Sequence, residues 1–448
     1  MSGVGMAGAV LIATSFAGPA SAAACDELNF AGTVRLRQEV LENQPRTSFL
    51  RDESITSIRT TLSADYRRGP WRLFGEIYDS RAYGAKVGSA VSANEVNVFE
   101  PVQAYIGYDI DRPFGRAGKA SVEVGRMMLN LGSRRLVAAD DYRNTTTGYT
   151  GVRADIALKT GLTATAIVVA PQFRSPESPA AVRDNRWNLD DETSDLLLWG
   201  GLASAPTPLP GGATVEISYF GLRERDSARR ATRDRKLSTV ALRLLRDPAA
   251  HEFDYDIELI AQTGTVSDGL AANARKLEVE AGFLHADAGY QFDDPLKSRF
   301  SFELDWASGD GSGVKYGRFD TLFGMRRAEF APSGILAAIG RTNILSPGLR
   351  LEIAPNARLD GFIAARRMLL ASRTDSFSTS GVRDAFGGSG RHAGDLFDSR
   401  VRYWLVPKVM RLEADYAFIA KGRFLRDAPN APAGGDTHYL SLNATWSF

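Results

Sequence analysis

The sequence predicts an all-β fold, a transmembrane antiparallel β-barrel of about 18 strands with short periplasmic turns and long extracellular loops. Segments of about ten residues alternate apolar and polar side chains, the connections between them alternate in length, and the last segment ends on Phe448. Alternation gives a strand two different faces, and about ten residues span a bilayer when the strand is tilted. A soluble sandwich also alternates, but its strands usually run nearer to five or six residues.

Composition excludes several other classes of protein. The chain has 448 residues, 24% of them charged, and a net charge of +1, which is not the composition of a disordered tail and provides no bulk attraction to nucleic acid. One Cys and four His exclude a disulfide framework and a multi-Cys metal centre. Of the 54 cationic residues only nine are Lys, and this bias towards arginine indicates a protein that handles anions.

The N-terminus is typical of a cleaved signal peptide covering residues 1–24. Residues 6–18 form an apolar core too short to span a membrane as a helix, and the small residues 20–24 follow it. The alternative is a buried N-terminal strand or helix. Cys25 is interpreted as an unpaired cysteine rather than as a lipid anchor. Residues 25–448 are then expected to form a single outer-membrane barrel domain.

Alternation recurs along the rest of the chain. Phe253, Tyr255 and Ile257 share one face of a strand, for example, and Asp254 and Asp256 share the other. An even number of strands places both chain ends on one side of the membrane. The predicted strands lie near residues 32–41, 56–67, 71–79, 98–109, 120–130, 150–158, 162–170, 195–204, 213–223, 237–245, 253–263, 276–286, 299–307, 343–353, 358–367, 397–405, 410–420 and 438–448.

The connections and the C-terminus indicate the bacterial outer membrane. Long segments rich in Gly, Ser, Asp and Arg, such as 308–342 and 368–396, alternate with short turns such as 159–161. This asymmetry is expected of extracellular loops and periplasmic turns. The last strand, 438–448, resembles the assembly signal of outer-membrane barrels. Aromatic residues near strand ends, taken as a set, fit interfacial girdles in contact with lipid, whereas ordinary packing explains any one of them alone. Arginines at the outer rim are expected to contact lipopolysaccharide.

If the apolar faces contact lipid, the polar faces line a lumen. Acidic residues concentrate on the predicted strands between 253 and 305, whereas arginines dominate the N-terminal and C-terminal strands. We therefore expect one acidic and one basic wall. These charges either pair with one another to satisfy buried groups or leave some arginines available for an anion in transit.

Three stretches, together covering most of the mature chain, resemble the alginate export family of outer-membrane proteins. The first contains residues 124–137, 143–144 and 151–154, the second residues 307–310 and 323–330, and the third residues 397–405 and 411–417. The resemblance implies an 18-stranded barrel with a narrow arginine-lined constriction for a polyuronate. Carried over by position, the best candidates for that constriction are Arg126, Arg143, Arg153 and Arg400, followed by Arg134, Arg135, Arg326, Arg327 and Arg402.

Two features of the sequence oppose this assignment. Arg126 has the same parity as the outward-facing Val122 and Val124, so it reaches the lumen only if a bulge intervenes. The acidic wall repels a polyanion unless loop arginines such as Arg326 and Arg327 fold inward and neutralise it.

The leading functional hypothesis is a passive, monomeric channel for an anionic polysaccharide or oligosaccharide, with periplasmic export partners as a further possibility. The alternative is a general or small-solute porin of the same fold. An enzyme is the rival class, but His392 and His438 have no Ser or Asp partner at motif spacing. His251 lies in a short turn, and His285 is interpreted as an outward-facing residue. No cofactor is expected, and a calcium site at Asp310 and Asp320 is a further alternative.

Overall fold

The computed structural model describes residues 26–209, 211–311, 313–326, 329–332 and 334–448. The predicted signal peptide, Cys25 and the candidate Arg327 lie outside these residues. Within them the chain forms eighteen strands, one for each strand that the sequence predicts, so the predicted strand number is confirmed.

The strands are β1 (Glu27–Glu42), β2 (Glu53–Arg68), β3 (Trp71–Tyr83), β4 (Asn97–Asp111), β5 (Gly118–Met128), β6 (Gly148–Leu158), β7 (Thr163–Pro171), β8 (Leu196–Pro206), β9 (Thr214–Glu224), β10 (Lys236–Arg246), β11 (Phe253–Ser267), β12 (Lys276–Gln291), β13 (Arg299–Ala307), β14 (Ile344–Asn356), β15 (Leu359–Leu369), β16 (His392–Val406), β17 (Met410–Lys421) and β18 (Thr437–Ser447). Two short helices, α1 (Pro179–Arg183) and α2 (Arg423–Asp427), lie in the loops. Neither these nor any other helix in the described residues has the length and apolar character needed to span a membrane.

Every strand pairs antiparallel with its neighbours in sequence, and β18 closes the sheet against β1. The closing register runs from Thr33 opposite Ser447 to Glu42 opposite His438. The described strands therefore form a closed barrel, which has no unpaired sheet edge. Gly32 completes the seam because its amide and carbonyl both bond the backbone of Phe448, at 2.9 and 3.0 Å, and a side chain at this position would overlap the Phe448 ring.

The two faces of each strand differ as the alternation predicts. On β13, Phe300 and Phe302 are 46% and 48% exposed on the outside of the barrel, whereas Glu303 and Asp305 are buried on the inside. The outer surface is thus apolar and the inner surface is polar and charged, the arrangement of a barrel surrounded by lipid.

His285 corrects one prediction from the sequence. It lies on the inner face of β12, is 2% exposed, and its Nδ1 is 2.8 Å from Oδ1 of Asp305. Because its neighbours Leu284 and Ala286 are both apolar, the sequence did not show which face of the strand His285 occupies. The register, which places His285 opposite Asp305, settles the question.

Long and short connections lie at opposite ends of the barrel, as predicted. The 129–147, 308–343 and 370–391 loops belong to the long-loop end, and their apolar side chains form a core inside that end of the barrel. Phe330, Ile335 and Phe377 are each at most 1% exposed in this core. Burial of these side chains holds the loops inward, because exposing them to water would cost about 25 cal/mol for each Å².

Candidate lumen constriction

The 129–147 and 308–343 loops meet inside the barrel. Val137 and Phe323 form a parallel bridge, with the Ala138 amide 3.1 Å from the Phe323 carbonyl and the Phe323 amide 2.9 Å from the Leu136 carbonyl. The Met325 amide also donates to the Arg134 carbonyl at 3.1 Å. The two loops therefore form one hydrogen-bonded unit.

This unit crosses the lumen. At one side, Nη2 of Arg35 on β1 and Nη1 of Arg59 on β2 donate to the Arg143 carbonyl at 2.6 and 3.2 Å. At the other side, Nη1 of Arg135 donates to Glu258 on β11 at 2.6 Å. Since β1 and β11 lie on opposite sides of the barrel, the 129–147 loop extends from one wall to the other.

Arg135 is surrounded by carboxylates. In addition to Glu258, it donates to Asp256 on β11 at 3.0 Å and to Glu329 of the 308–343 loop at 2.9 Å. Burial opposes its charge, but the charges of Asp256, Glu329 and Glu258 outweigh burial and raise the pKa of Arg135 well above its ordinary value. Arg135 thus neutralises part of the acidic wall formed by β11, β12 and β13.

Wall arginines neutralise most of the remaining acidic wall. Arg243 on β10 bonds Asp256 at 2.6 Å, Arg299 on β13 bonds Asp254 at 3.0 Å, and Arg366 on β15 bonds Asp305 at 2.8 Å. These contacts satisfy buried charges that would otherwise be costly. The sequence predicted an acidic wall that loop arginines must neutralise. Arg135 and the wall arginines do this, whereas Arg326 lies elsewhere.

Glycine allows some of these arginines to reach beyond the neighbouring strand. Gly348 on β14 is opposite Arg366 on one side and Glu303 on the other, and Arg366 extends over it to bond Glu303. Gly107 has the same relation to Arg72 and Glu123, whose side chains approach to 3.7 Å. A side chain in place of Gly348 would overlap Arg366.

The basic wall, formed by β15 to β18 with β1 and β2, is also balanced by acids. One row of side chains crosses five adjacent strands, with each residue paired to the next: Arg37 on β1, Asn443 on β18, Glu413 on β17, Arg402 on β16 and Asp360 on β15. The charged side chains along this row alternate in sign. Arg402 donates to Asp360 at 2.8 Å. The strand charges therefore pair mainly along the wall rather than across the lumen.

Positive charge accumulates where the loops cross. Burial and the charges of Arg143, Arg46 and Arg341 lower the pKa of Arg326 to about 10, and the charge of Asp140 opposes this shift. Burial and Arg143 also lower the pKa of Arg174 to about 10. At about 10, both pKa values leave Arg326 and Arg174 protonated near pH 7. Their mutual repulsion creates a local positive potential that favours a bound anion.

The other candidate arginines occupy separate places. Arg126, at the loop end of β5, donates to Glu100, to Glu192 of the 172–195 loop and to the Pro101 carbonyl, the last at 2.9 Å. The pairing of β4 with β5 continues without a register shift up to Arg126, and Gly125 before it adopts a φ of 135°. Arg126 thus ties two strands to a loop.

The remaining candidates lie along the walls and at the loop crossing. Arg153 on β6 contacts Asp155 at 2.7 Å, and Arg400 on β16 stacks on the Phe362 ring at 5.1 Å. Arg134 contacts Asp141 at 3.3 Å. Arg134, Arg135, Arg143 and Arg326 thus belong to the pair of crossing loops, and the charge of Arg143 acts on Arg326. Arg126, Arg153, Arg400 and Arg402 lie on the strands.

Sequence reasoning missed Arg46, Arg174 and Arg341, three further arginines of the loops. Arg46 and Arg341 lie in irregular segments without alternation, so no periodic signal assigned them to the lumen. Asp310 and Asp320 are engaged elsewhere: Asp310 accepts from the Gly317 amide at 3.0 Å, and Asp320 accepts from Arg235 at 2.7 Å. Among the residues that the structure describes, no three His, Cys, Asp or Glu residues are grouped so that they could hold a metal ion.

Comparison with solved structures finds outer-membrane proteins of Pseudomonas aeruginosa. OpdK is 12% identical with a TM-score of 0.56, and the match covers 94% of this chain and 99% of that one. OccK2 (OpdF) is 12% identical with a TM-score of 0.57 and coverage of 94% and 98%. OccD3 (OpdP) is 13% identical with a TM-score of 0.56 and coverage of 94% and 91%. At these identities the likeness concerns the fold.

No curated protein matches the chain. The alginate export family model, in contrast, matches residues 26–435, which is nearly the whole barrel and includes both crossing loops. Together with the closed 18-stranded sheet and its apolar outer face, this match identifies a channel-type barrel of the bacterial outer membrane, and the chain belongs to the alginate export family.

Proposed function

We propose that the protein is a passive outer-membrane channel for an anionic polysaccharide or oligosaccharide of the polyuronate type. The observation that carries this proposal is the excess of arginine where the 129–147 and 308–343 loops cross the lumen. Arg143 and Arg326 belong to these two loops and the charge of Arg143 acts on Arg326, whereas the strand charges are largely paired.

The chemistry fits a chain that carries one carboxylate on each sugar. A guanidinium fork bonds a carboxylate strongly and with defined geometry. Arg143 already shares its charge with Asp140, 2.8 Å away, so it would hold an incoming carboxylate weakly. Weak binding suits transport, because a solute must leave each site as readily as it enters.

The test is current blockade in planar bilayers. Micromolar polyuronate should block the wild-type current, and the blocking concentration should rise at least tenfold in Arg143→Gln and Arg326→Gln. Arg229→Gln removes the same charge from a side chain that is 80% exposed on an outer loop, and it should behave as wild type. Block that is equally strong in all four proteins would overturn the proposal.

A small-solute porin is the second candidate. The alternating row of Arg37, Glu413, Arg402 and Asp360 favours it, because such a row orients dipolar solutes without strong preference for either sign. Under this alternative, polyuronate would not block, and amino acids or small sugars would permeate equally well in wild type and in Arg326→Gln.

A further inference from the structure

Two cations face each other on the outside of the barrel at its long-loop end. Arg223, near the end of β9, pairs in register with Lys236, the first residue of β10, and the pairing of the two strands continues without a shift. Arg223 shares its face of β9 with Ile217 and Tyr219, which are 57% and 42% exposed. Lys236 shares its face of β10 with Val240, which is 50% exposed. Both cations therefore lie on the lipid-facing side of the barrel rather than in the lumen.

The pair lies at the outer boundary of the apolar band. β10 has 11 residues from Lys236 to Arg246, and about 9–11 residues of a tilted strand cross the hydrocarbon core of a bilayer. Since Arg246 borders a short turn, Lys236 marks the opposite, outer surface. Just below the pair, the Trp199 ring lies over Gly221, and Tyr219 is the next residue on the same face of β9. Trp and Tyr side chains at this depth are typical of the boundary between hydrocarbon and lipid headgroups.

The acids of the neighbouring segments do not compensate the pair. Within the described residues, neither Arg223 nor Lys236 has an acidic side chain at ion-pair distance. The flanking acids engage other groups: Asp195 bonds Arg225, Asp234 bonds Lys276, Glu224 bonds Arg235, and Asp226 accepts from the Thr232 amide.

The register row that contains the pair also lacks a nearby counter-charge. Leu197 on β8 is opposite Arg223, and Thr265 on β11 is opposite Lys236. The next residue of the row, Glu278 on β12, is two strands from Lys236, about 10 Å at the usual spacing of strands. Like charges directly opposite each other destabilise a sheet. An external anion between the two side chains would remove this repulsion.

We propose that Arg223 and Lys236 bind a phosphate group of lipid A, the phosphorylated glycolipid of lipopolysaccharide. A guanidinium fork bonds phosphate with defined geometry, and an ammonium group adds a second positive charge. Below the two cations, the exposed Tyr219, Val240 and Leu242 provide an apolar surface for acyl chains. The depth of the pair matches a headgroup of the outer leaflet. This site lies outside the lumen and is independent of the proposed transport function.

Titration of the detergent-solubilised protein with lipid A, followed by native mass spectrometry, tests the proposal. Arg223→Gln and Lys236→Gln should each weaken binding at least fivefold. Arg367→Gln is the matched control, because Arg367 also lies on the outer face at the long-loop end, but Asp395 compensates its charge at 2.9 Å. This control should bind lipid A within twofold of wild type.

Lys236→Glu separates lipid recognition from folding. This variant places a carboxylate directly opposite Arg223, so the lipid-free barrel should unfold at a higher temperature than wild type. Its affinity for lipid A should nevertheless fall at least tenfold, because the anion loses one cation and meets a like charge. Lipid A binding at wild-type affinity in this variant would overturn the proposal.

The source of the phosphate is tested with three further probes. Dephosphorylated lipid A should bind at least tenfold more weakly than lipid A, and neither inorganic phosphate nor phosphatidylglycerol should displace lipid A at equal concentration. Equal binding of phosphorylated and dephosphorylated lipid A would overturn the proposal, as would wild-type affinity in both neutral variants. Displacement by inorganic phosphate or by phosphatidylglycerol would overturn the assignment to an outer-leaflet glycolipid.

Discussion

Nη1 of Arg135 lies 2.6 Å from Oε2 of Glu258, and this contact joins the 129–147 loop to the acidic wall. Both side chains are nearly inaccessible, at 5% and 4% exposed. A buried pair of this kind is a strong positional restraint, because separating the partners leaves charges in a poorly solvated environment. The crossing loops are thus held across the lumen by an ion pair rather than by backbone contacts alone.

Arg135→Gln should release this restraint. Three carboxylates, on Asp256, Glu258 and Glu329, would lose their shared counter-ion, and we expect the free energy of unfolding to fall by about 3–5 kcal/mol. The loosened loop should also give a larger and noisier single-channel conductance. Denaturant titration and bilayer recording measure the two effects. Arg229→Gln is the control. If Arg135→Gln matched it in both unfolding free energy and single-channel current noise, this account of the loop would be contradicted.

Gly348→Ala should destabilise the barrel because the added methyl group overlaps Arg366 and approaches the Ala365 carbonyl at 3.0 Å. Overpacking of this kind costs about 1–3 kcal/mol. Gly75→Ala is the matched control, since nothing lies within 4 Å of the position of its added carbon. Unfolding followed by circular dichroism should separate the two variants, and equal midpoints would show that Arg366 does not need the glycine.

Glu95 should make stability depend on pH. Burial and the charge of Glu39 raise the pKa of Glu95 to about 7, although bonds from Ser92 oppose the shift. The folded state therefore binds more protons than the unfolded state between about pH 4.5 and pH 7, and stability falls as pH rises through this range. The effect is on the order of 3 kcal/mol.

Glu95→Gln should flatten this pH dependence while preserving the acceptor for the Ser92 amide, which lies 2.9 Å from Glu95 Oε2. Unfolding midpoints at pH 5, 6, 7 and 8 provide the measurement. Parallel curves for wild type and variant would show that Glu95 is ionised throughout the range.

Phe448→Ala should reduce assembly of the barrel in the membrane. The Phe448 ring packs on Gly32 at the closure seam, and its loss leaves the backbone bonds to Gly32 without that packing. We expect a severalfold lower yield of inserted protein, measured by quantifying the barrel in isolated outer membranes. Phe30→Ala, which removes an equally exposed ring from β1, is the control and should assemble normally.

The sequence predicted most of the barrel because the barrel depends on local pattern. Alternation on β13, for example, requires only that Phe300 and Phe302 face lipid while Glu303 and Asp305 face inward. Strand number and loop asymmetry follow from the same period. His285 is the exception, since apolar residues on both sides obscured its face and only the pairing with β13 reveals it.

The loop crossing was harder to predict. Arg135 and Glu258 are 123 residues apart, and nothing in either segment specifies that they meet. Arg143 and Arg326 were predicted from the family resemblance, but the resemblance gives no geometry. Arg46 and Arg341 had no signal at all, because irregular loops lack the periodicity that assigns a side chain to one face.

The central claim is that arginines at the loop crossing make the lumen selective for anions. The reversal potential of the wild-type channel in a planar bilayer with a tenfold KCl gradient tests it most directly. We predict a potential of the sign given by chloride permeation, reduced towards zero in Arg143→Gln and Arg326→Gln. A potential of the opposite sign in wild type, showing preference for potassium, would contradict the account.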